Sequence, residues 1–358
     1  MNKISARQLY FFLACVAPVG KLVLLPAQLV KYAGNDLLLP ALTNYAVQTA
    51  AVFCLLLLVK SGLNFYELLE NTFGKIAAKI LACLFSLFLL LAALLPLLEQ
   101  KAFVQSVFYD TLPSLVAFAP FFVFSAFVCS KPLGSYGRTW DILGPLAVFG
   151  LAGVLILSVG SADYASLLPV GASGGTGFLR GTAAIFSWFI DTALLIPFLG
   201  KIEYRKGIAW KAALCYAAGG AAVLFFLATF YGVFAETSIN QLFAFTKTSK
   251  FFSGITVLGR IDYLFIFSLA LVMAFYLTLP LQGSVDCVVQ AFGQHRYMPT
   301  LLSLFVNAIF FTLSVVLDFL LGDILTFFAE VLFWIFPVFC VLLPPLCLLL
   351  RRKNRALS

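Results

Sequence analysis

Short basic clusters cut this chain into long apolar runs, and the length of those runs constrains the fold more than any other feature. A helix crosses the roughly 30 Å hydrocarbon core of a bilayer in about 20 apolar residues. On that ruler the sequence divides into ten spans, at 8–30, 36–59, 76–98, 113–130, 140–160, 183–200, 208–234, 261–284, 299–318 and 324–350. Unpaired backbone groups are not tolerated in lipid, so runs of this length fold as helices. The expected fold is all-α: a polytopic membrane protein of about ten transmembrane helices, with 1–358 forming a single integral membrane domain. Composition excludes the alternatives. With 63% of residues hydrophobic and 11% charged, the chain is neither a soluble globular domain nor a disordered one. The net charge of +8 is spread over clusters between spans, not along one polar face, which argues against nucleic acid as a partner.

The basic residues set the orientation. Sixteen of the 23 fall on one side: Lys3, Arg7, Lys60, Lys75, Lys79, Lys131, Arg138, Lys201, Arg205, Lys206, Lys211, Arg296, Arg351, Arg352, Lys353 and Arg355. Lys31, Arg180, Lys247, Lys250 and Arg260 fall on the other, while Lys21 and Lys101 lie within or at the end of a span. An even span count and the positive-inside rule then place both termini in the cytoplasm, with 351–358 as a basic cytoplasmic tail. Lys3 and Arg7 before a run ending near Ala17 imitate a secretory signal, but Pro18 follows at once and Leu22–Leu25 resume the apolar run, so the segment reads as a retained first span.

Little in the chain points to catalysis. The eight cysteines lie in or beside apolar runs with no C-x-x-C pair, and the single histidine, His295, leaves no material for a histidine metal cluster. Gly171-Ala-Ser-Gly174-Gly175-Thr-Gly177 lacks the lysine and the preceding strand of a phosphate loop and reads as a flexible outer connection. No enzymatic activity, metal or cofactor is expected. Interruptions inside spans carry more information, because irregular backbone at membrane depth occurs only where it is buried in protein or lines a cavity. Ala17-Pro18-Val19-Gly20-Lys21 interrupts span one and Ile196-Pro197-Phe198-Leu199-Gly200 interrupts span six. Those spans are equivalent members of two halves of five, 1–160 and 183–350, which is the mark of an inverted-repeat transporter. Pro96, Pro113, Pro145, Pro280, Pro337, Pro344 and Pro345 also fall in or near spans, so spacing alone leaves simple kinking open.

Several short motifs recur in a fixed order: Ile4-Ser5-x-x-Gln8-Leu9, Leu25-Pro26, Ala33-Gly34-x-Asp36, Leu167-Leu168-Pro169-Val170 followed by Gly171, and Gly259-Arg260-Ile261-Asp262. Together they resemble the spore germination protein family of the GerAB/GerKB type, the membrane-embedded B subunit of nutrient germinant receptors. The resemblance implies a five-plus-five, LeuT-like fold of the amino acid-polyamine-organocation transporter superfamily, with a ligand site between broken helices one and six. It implies residence in the inner membrane of bacterial spores, beside an A subunit and a lipoprotein C subunit, and a response to amino acids, sugars or nucleosides. Lys21 stands where the family pattern leads one to expect a small or hydroxyl residue, and Tyr136-Gly137-Arg138 after span four matches only loosely.

Half-helix ends provide groups for a zwitterionic nutrient: free amides for a carboxylate, free carbonyls for an ammonium. Ala17, Pro18, Val19, Gly20, Lys21, Asp191, Ile196, Pro197 and Gly200 are therefore the candidate ligand-binding residues. Lys21 lies about 20 Å along span one, and Asp191 and Glu330 enter from the opposite side to roughly the same depth. Lys21 is expected to pair with Asp191 or Glu330 in the empty site, making these three the candidate coupling residues; a static ion pair that only fixes packing is the alternative. Glu99, Gln100 and Lys101 read as an interface cluster after span three, Asp318 and Asp323 as outer-loop residues, and Asp286 as an inner-interface residue. Tyr263 and Tyr276 are either path-lining or packing residues. Residues 64–73 form an interfacial helix or a solvated loop. Three functions fit: a germinant receptor subunit, a proton-coupled amino acid transporter of the same fold, or a subunit of a ligand-gated ion channel. The orientation predicts that green fluorescent protein fused after Ser358 fluoresces and alkaline phosphatase fused there is inactive; the reverse pattern overturns it.

Overall fold

The computed structural model describes residues 3–108, 113–250, 262–293, 297–317, 323, 327 and 334–356. Among them the regular structure is helical, and the one β-type pairing joins Ile4 to Ile202. A capping box, in which Ser5 and Gln8 satisfy each other's backbone N–H, starts helix α1 (Ala6–Phe11). That helix widens to a π turn over Phe12–Val16 and tightens to a 3₁₀ turn over Ala17–Lys21. After a break, α2 (Leu25–Ala33) begins with Pro26 in its first turn, where a missing N–H costs nothing. There follow α3 (Leu38–Leu58), α4 (Phe65–Phe73), α5 (Lys75–Phe108), α6 (Ser114–Cys129) and α7 (Leu133–Ser158). The second part contains α8 (Gly174–Ile185), α9 (Asp191–Leu195), α10 (Ile208–Phe234), α11 (Ala244–Ser249), α12 (Asp262–Phe292) and α13 (Met298–Val316). The chain closes with α14 (Ile335–Pro337) and α15 (Leu343–Ala356).

Among the described residues seven helical stretches are long and apolar enough to cross a membrane, and the bent pair Ala6–Lys21 with Leu25–Asp36, turned by 63°, supplies an eighth when counted as one span. Shorter apolar helices cover Val116–Cys129 and Ile335–Leu349. Each expected span has a helical counterpart among the described residues, so the protein is an all-α, polytopic, integral membrane protein. Several boundaries need correction. Span three does not end at 98: α5 runs on to Phe108 and carries Glu99, Gln100 and Lys101 inside the bundle, not at an interface. The helices of spans five and six begin earlier than expected, at Leu133 and Gly174. Charged and small polar residues were read as stops, but inside a bundle they are tolerated wherever a partner satisfies them.

Without a hydrophobic force between helices in lipid, close packing relies on small residues. Gly150 and Gly153 of α7 lie against Ser268, Leu269 and Phe265 of α12, so closely that a β-carbon at Gly153 would stand 2.3 Å from the Phe265 ring. On α10, Gly219 meets the Ala14 carbonyl and Pro18, while Gly220 covers the Tyr45 ring of α3. Helices α5 and α12 pack along each other at the centre, α3 on α10 and α7 on α12 lie around them, and α6 with α13 forms an outlying pair. Residues 65–73 form a helix and not a loop: Asn64 and Glu67 form a second capping box at the start of α4, which packs on α5.

The Gly171–Gly177 segment is not a loose connection. Asp36 accepts hydrogen bonds from the backbone N–H groups of Gly171 (2.5 Å) and Ser173 (2.6 Å), and the Asn35 amide donates to the Pro169 carbonyl at 3.0 Å. A carboxylate that satisfies the free amides just before α8 fixes where that helix starts. Gly219→Leu is expected to force α10 away from the 3₁₀ turn at Pro18, destabilising the protein by about 1–3 kcal/mol. Thermal unfolding in detergent micelles, against a control of Gly175→Ala in open space, measures it.

Candidate functional site

Two chain segments are broken, and the breaks face each other through side chains. The first lies at residues 22–24, between the 3₁₀ turn and α2; the second lies at residues 189–190, between a 3₁₀ turn at Phe186–Trp188 and α9. The sequence placed the interruptions at Ala17–Gly20 and Ile196–Gly200. Pro18 and Pro197 instead sit in 3₁₀ turns that continue the helices, and the backbone leaves helical geometry a few residues from each proline, next to Lys21 in one case and Asp191 in the other. Proline removes one donor and its φ suits a 3₁₀ turn, so it loosens a helix without fixing where the chain departs from it.

Lys21 and Asp191 meet as expected. Lys21 Nζ lies 2.7 Å from Asp191 Oδ2, and the side chains are 1% and 0% exposed. The ammonium also donates to the Ala17 carbonyl at 3.2 Å and stands 5.3 Å from the centre of the Phe189 ring. The hydroxyl of Tyr216 donates to Asp191 Oδ2 at 2.7 Å, and that of Tyr276 donates to Oδ1 at 3.0 Å. A buried charge is tolerable when paired and when its remaining lone pairs are satisfied, and this carboxylate has three donors. Gly20 permits the arrangement, since a β-carbon there would stand 2.9 Å from Tyr276 Cε1 and push that ring from its place. Glu330, the other expected partner, lies outside the described residues, as do His295 and Asp318.

Neighbouring helices satisfy the broken backbone. Glu99 of α5, fully buried, accepts the Leu24 N–H at 2.6 Å from the first break and the Trp188 indole N–H at 3.1 Å from beside the second. Gln48 of α3 donates to the Phe189 carbonyl at 2.7 Å and accepts the Thr192 hydroxyl at 2.6 Å. The Val23 carbonyl accepts the N–H of Ala244, the first residue of the buried helix α11, whose neighbours Phe243 and Phe245 pack on Phe103 of α5. Lys101 donates to the Ser314 carbonyl at 2.5 Å, and the Gln100 amide to the Ala270 carbonyl at 3.3 Å.

The remaining candidates separate from this centre. Ala17, Pro18, Val19 and Ile196 are buried beside it. Pro197 and Gly200 belong to a different cluster at the end of the second broken segment. There the Pro197 carbonyl accepts the Gln290 amide at 3.0 Å, Gly200 lies against the Asn64 backbone, and Lys201 pairs with Asp286 at 2.6 Å. Ile4 pairs with the chain on both sides of Ile202 at the same place. Tyr276 is part of the centre, while the Tyr263 ring lies tilted, 6.5 Å from that of Phe108. Sequence reasoning missed Glu99, Gln48 and Tyr216. Glu99 was legible as an acidic residue three positions after Pro96 in an otherwise apolar run, but the 20-residue ruler placed it outside.

Among the described residues, a helical bundle whose first span is bent by 63°, whose chain leaves helical geometry again at residues 189–190, and which holds a buried ion pair beside both places and no metal-binding cluster is a transporter-like membrane protein. The family model of the spore germination proteins matches residues 3–319, nearly the whole chain, and the protein belongs to that family. A search of the curated proteins returned no match. Gln48→Leu is expected to leave the Phe189 carbonyl and the Thr192 hydroxyl without partners and to cost about 1–3 kcal/mol. Thermal unfolding checks this, with the control Thr49→Val on the same helix changing the midpoint far less.

Proposed function

We propose that the protein is the membrane-embedded subunit of a spore nutrient germinant receptor. In this reading it binds a small nutrient, an amino acid, in a transporter-like site between the two broken helices and so triggers germination. The observation that carries the reading is the buried pair of Lys21 and Asp191, which joins the two broken segments beside their breaks. An amino acid carries the same two charges as that pair. Its carboxylate suits Lys21 and its ammonium suits Asp191, so binding exchanges one ion pair for two and lets the segments separate. Each segment is also held to a neighbour, by Glu99 and by Gln48, which gives a movement at the pair two routes into α5 and α3.

The two sets of five helices form inverted repeats, both termini face the cytoplasm, and the membrane is the inner membrane of the spore. Partner A and C subunits carry the signal onward, since the chain itself reads as one membrane domain with no enzymatic activity. Proton-coupled amino acid transport by the same site is the second reading, because Asp191 with Lys21 is also a place to exchange a proton during alternating access. A nutrient-gated ion channel subunit is the third.

Deletion of the gene in its native host is expected to abolish exit from dormancy in response to one nutrient class while spores still form. Asp191→Asn and Lys21→Ala, each restored to the deleted strain, are both expected to lower that response at least about tenfold. An unchanged response in Lys21→Ala with complete loss in Asp191→Asn overturns the coupled pair. Uptake of labelled nutrient by the isolated protein in proteoliposomes moves the protein to the transporter reading.

A further inference from the structure

The surroundings of Lys21 Nζ are built to receive an ammonium group, whichever molecule carries it. An R–NH₃⁺ group has three donors and no acceptor. Here the carboxylate of Asp191 lies at 2.7 Å, the carbonyl of Ala17 at 3.2 Å, and the Phe189 ring, with its centre at 5.3 Å, presents a π face. An anion, a neutral oxygen and an aromatic face are the groups that bind an alkylammonium through hydrogen bonds and cation–π attraction. The side chain of Lys21 is 1% exposed, so its methylenes as well as its charge are enclosed by protein.

Two further features point to a site and not only to a structural bridge. Asp191 keeps two hydroxyl donors, from Tyr216 and Tyr276, which hold the carboxylate in place whether or not the ammonium is present. Beside them Tyr45 packs on the rings of Phe189, at 4.8 Å, and Tyr216, at 5.7 Å, and its buried hydroxyl has no partner among the described residues. An unpaired buried hydroxyl is costly, and here it stands next to the cage as a spare polar group for an incoming molecule.

We infer that the pocket around Asp191 is a primary-ammonium site filled from within by the chain's own lysine, so that a nutrient bearing an ammonium competes with Lys21 for Asp191 and a neutral nutrient does not. The part of this inference that concerns nutrients rests on the proposed function; the part that concerns the pocket does not. Because Lys21 supplies the positive charge, closing the two broken segments on each other requires no alkali-metal ion at this position.

Removing the tether tests it. Lys21→Ala, purified in lipid nanodiscs, is titrated with methylammonium, ethylammonium, n-butylammonium, tetramethylammonium, sodium and potassium chlorides, and its thermal midpoint is followed. Saturable stabilisation by methylammonium and ethylammonium is expected, tightening about fourfold for the added methylene, and it is lost with n-butylammonium, which is longer than the Cγ–Cε arm that the substitution removes. No saturable shift is expected with tetramethylammonium, which has no N–H, with wild type, or with Lys21→Ala/Asp191→Asn. Equal stabilisation by sodium or potassium, or a folded Lys21→Ala that ignores every amine, overturns the inference. Where Lys21→Ala folds only when ethylammonium is supplied during extraction, the inference stands. Where it fails even then while the double variant folds, the inference falls. A negative amine result alongside a lost nutrient response in Asp191→Asn removes the ammonium site and leaves the receptor reading in place.

Discussion

Opening a helix in the middle of a membrane exposes backbone groups that lipid cannot satisfy, and each such group costs several kcal/mol unless protein supplies a partner. This protein opens two. Its central polar residues are best understood as the answer to that constraint: Glu99 takes the Leu24 N–H, Gln48 takes the Phe189 carbonyl, and the N–H of Ala244 goes to the Val23 carbonyl. Packing follows from the same need. The partners reach the breaks only if α3, α5 and α10 approach closely, which is why glycines such as Gly20 and Gly219 stand where a β-carbon would collide with Tyr276 or with Pro18.

The polar centre divides the work between charge and neutral hydrogen bonds. Lys21 and Asp191 neutralise each other and link the two broken segments directly, with two tyrosines completing the carboxylate. Glu99 and Gln48 link the same segments to unbroken helices. A segment held both to its counterpart and to a neighbour has two sets of contacts that compete when it moves, which suits a two-position device better than a rigid core. The end of the second broken segment is fastened separately, through Lys201 with Asp286 and through Gln290 with the Pro197 carbonyl.

How much of this was legible in the sequence depends on the kind of signal. Apolar run length is a physical requirement of the bilayer, and it located the seven or eight membrane-crossing helices of the described residues, with ends misplaced by up to ten residues, as at Phe108. The meeting of Lys21 with Asp191 was legible because charges inside apolar runs need partners and rise per residue fixes their depth. The breaks themselves were not. Residues 22–24 and 189–190 contain neither glycine nor proline, and α5, α7 and α12 pass through Pro96, Pro145 and Pro280 without interruption. What decides between a kink and a break is whether a neighbour offers a partner for the freed groups, and that is a property of the packed bundle. Glu99 was misplaced for the same reason. Its charge reads as a helix end when each helix is measured against water, and as an interior residue only once Leu24 and Trp188 are beside it.

The length of α5 has a mechanical consequence. Its 34 residues extend about 51 Å, far more than the hydrocarbon core, and Glu99 lies about 36 Å from its first residue. At the near end α5 turns sharply into α4 at Gly74, whose φ of 83° only glycine adopts freely. The helix is therefore a beam with its load point at Glu99, inside the bundle, and its elbow at the far end. A rotation of the beam at Glu99 would shift the elbow and the short helix α4 that packs on α5, so the two ends of the beam are mechanically joined.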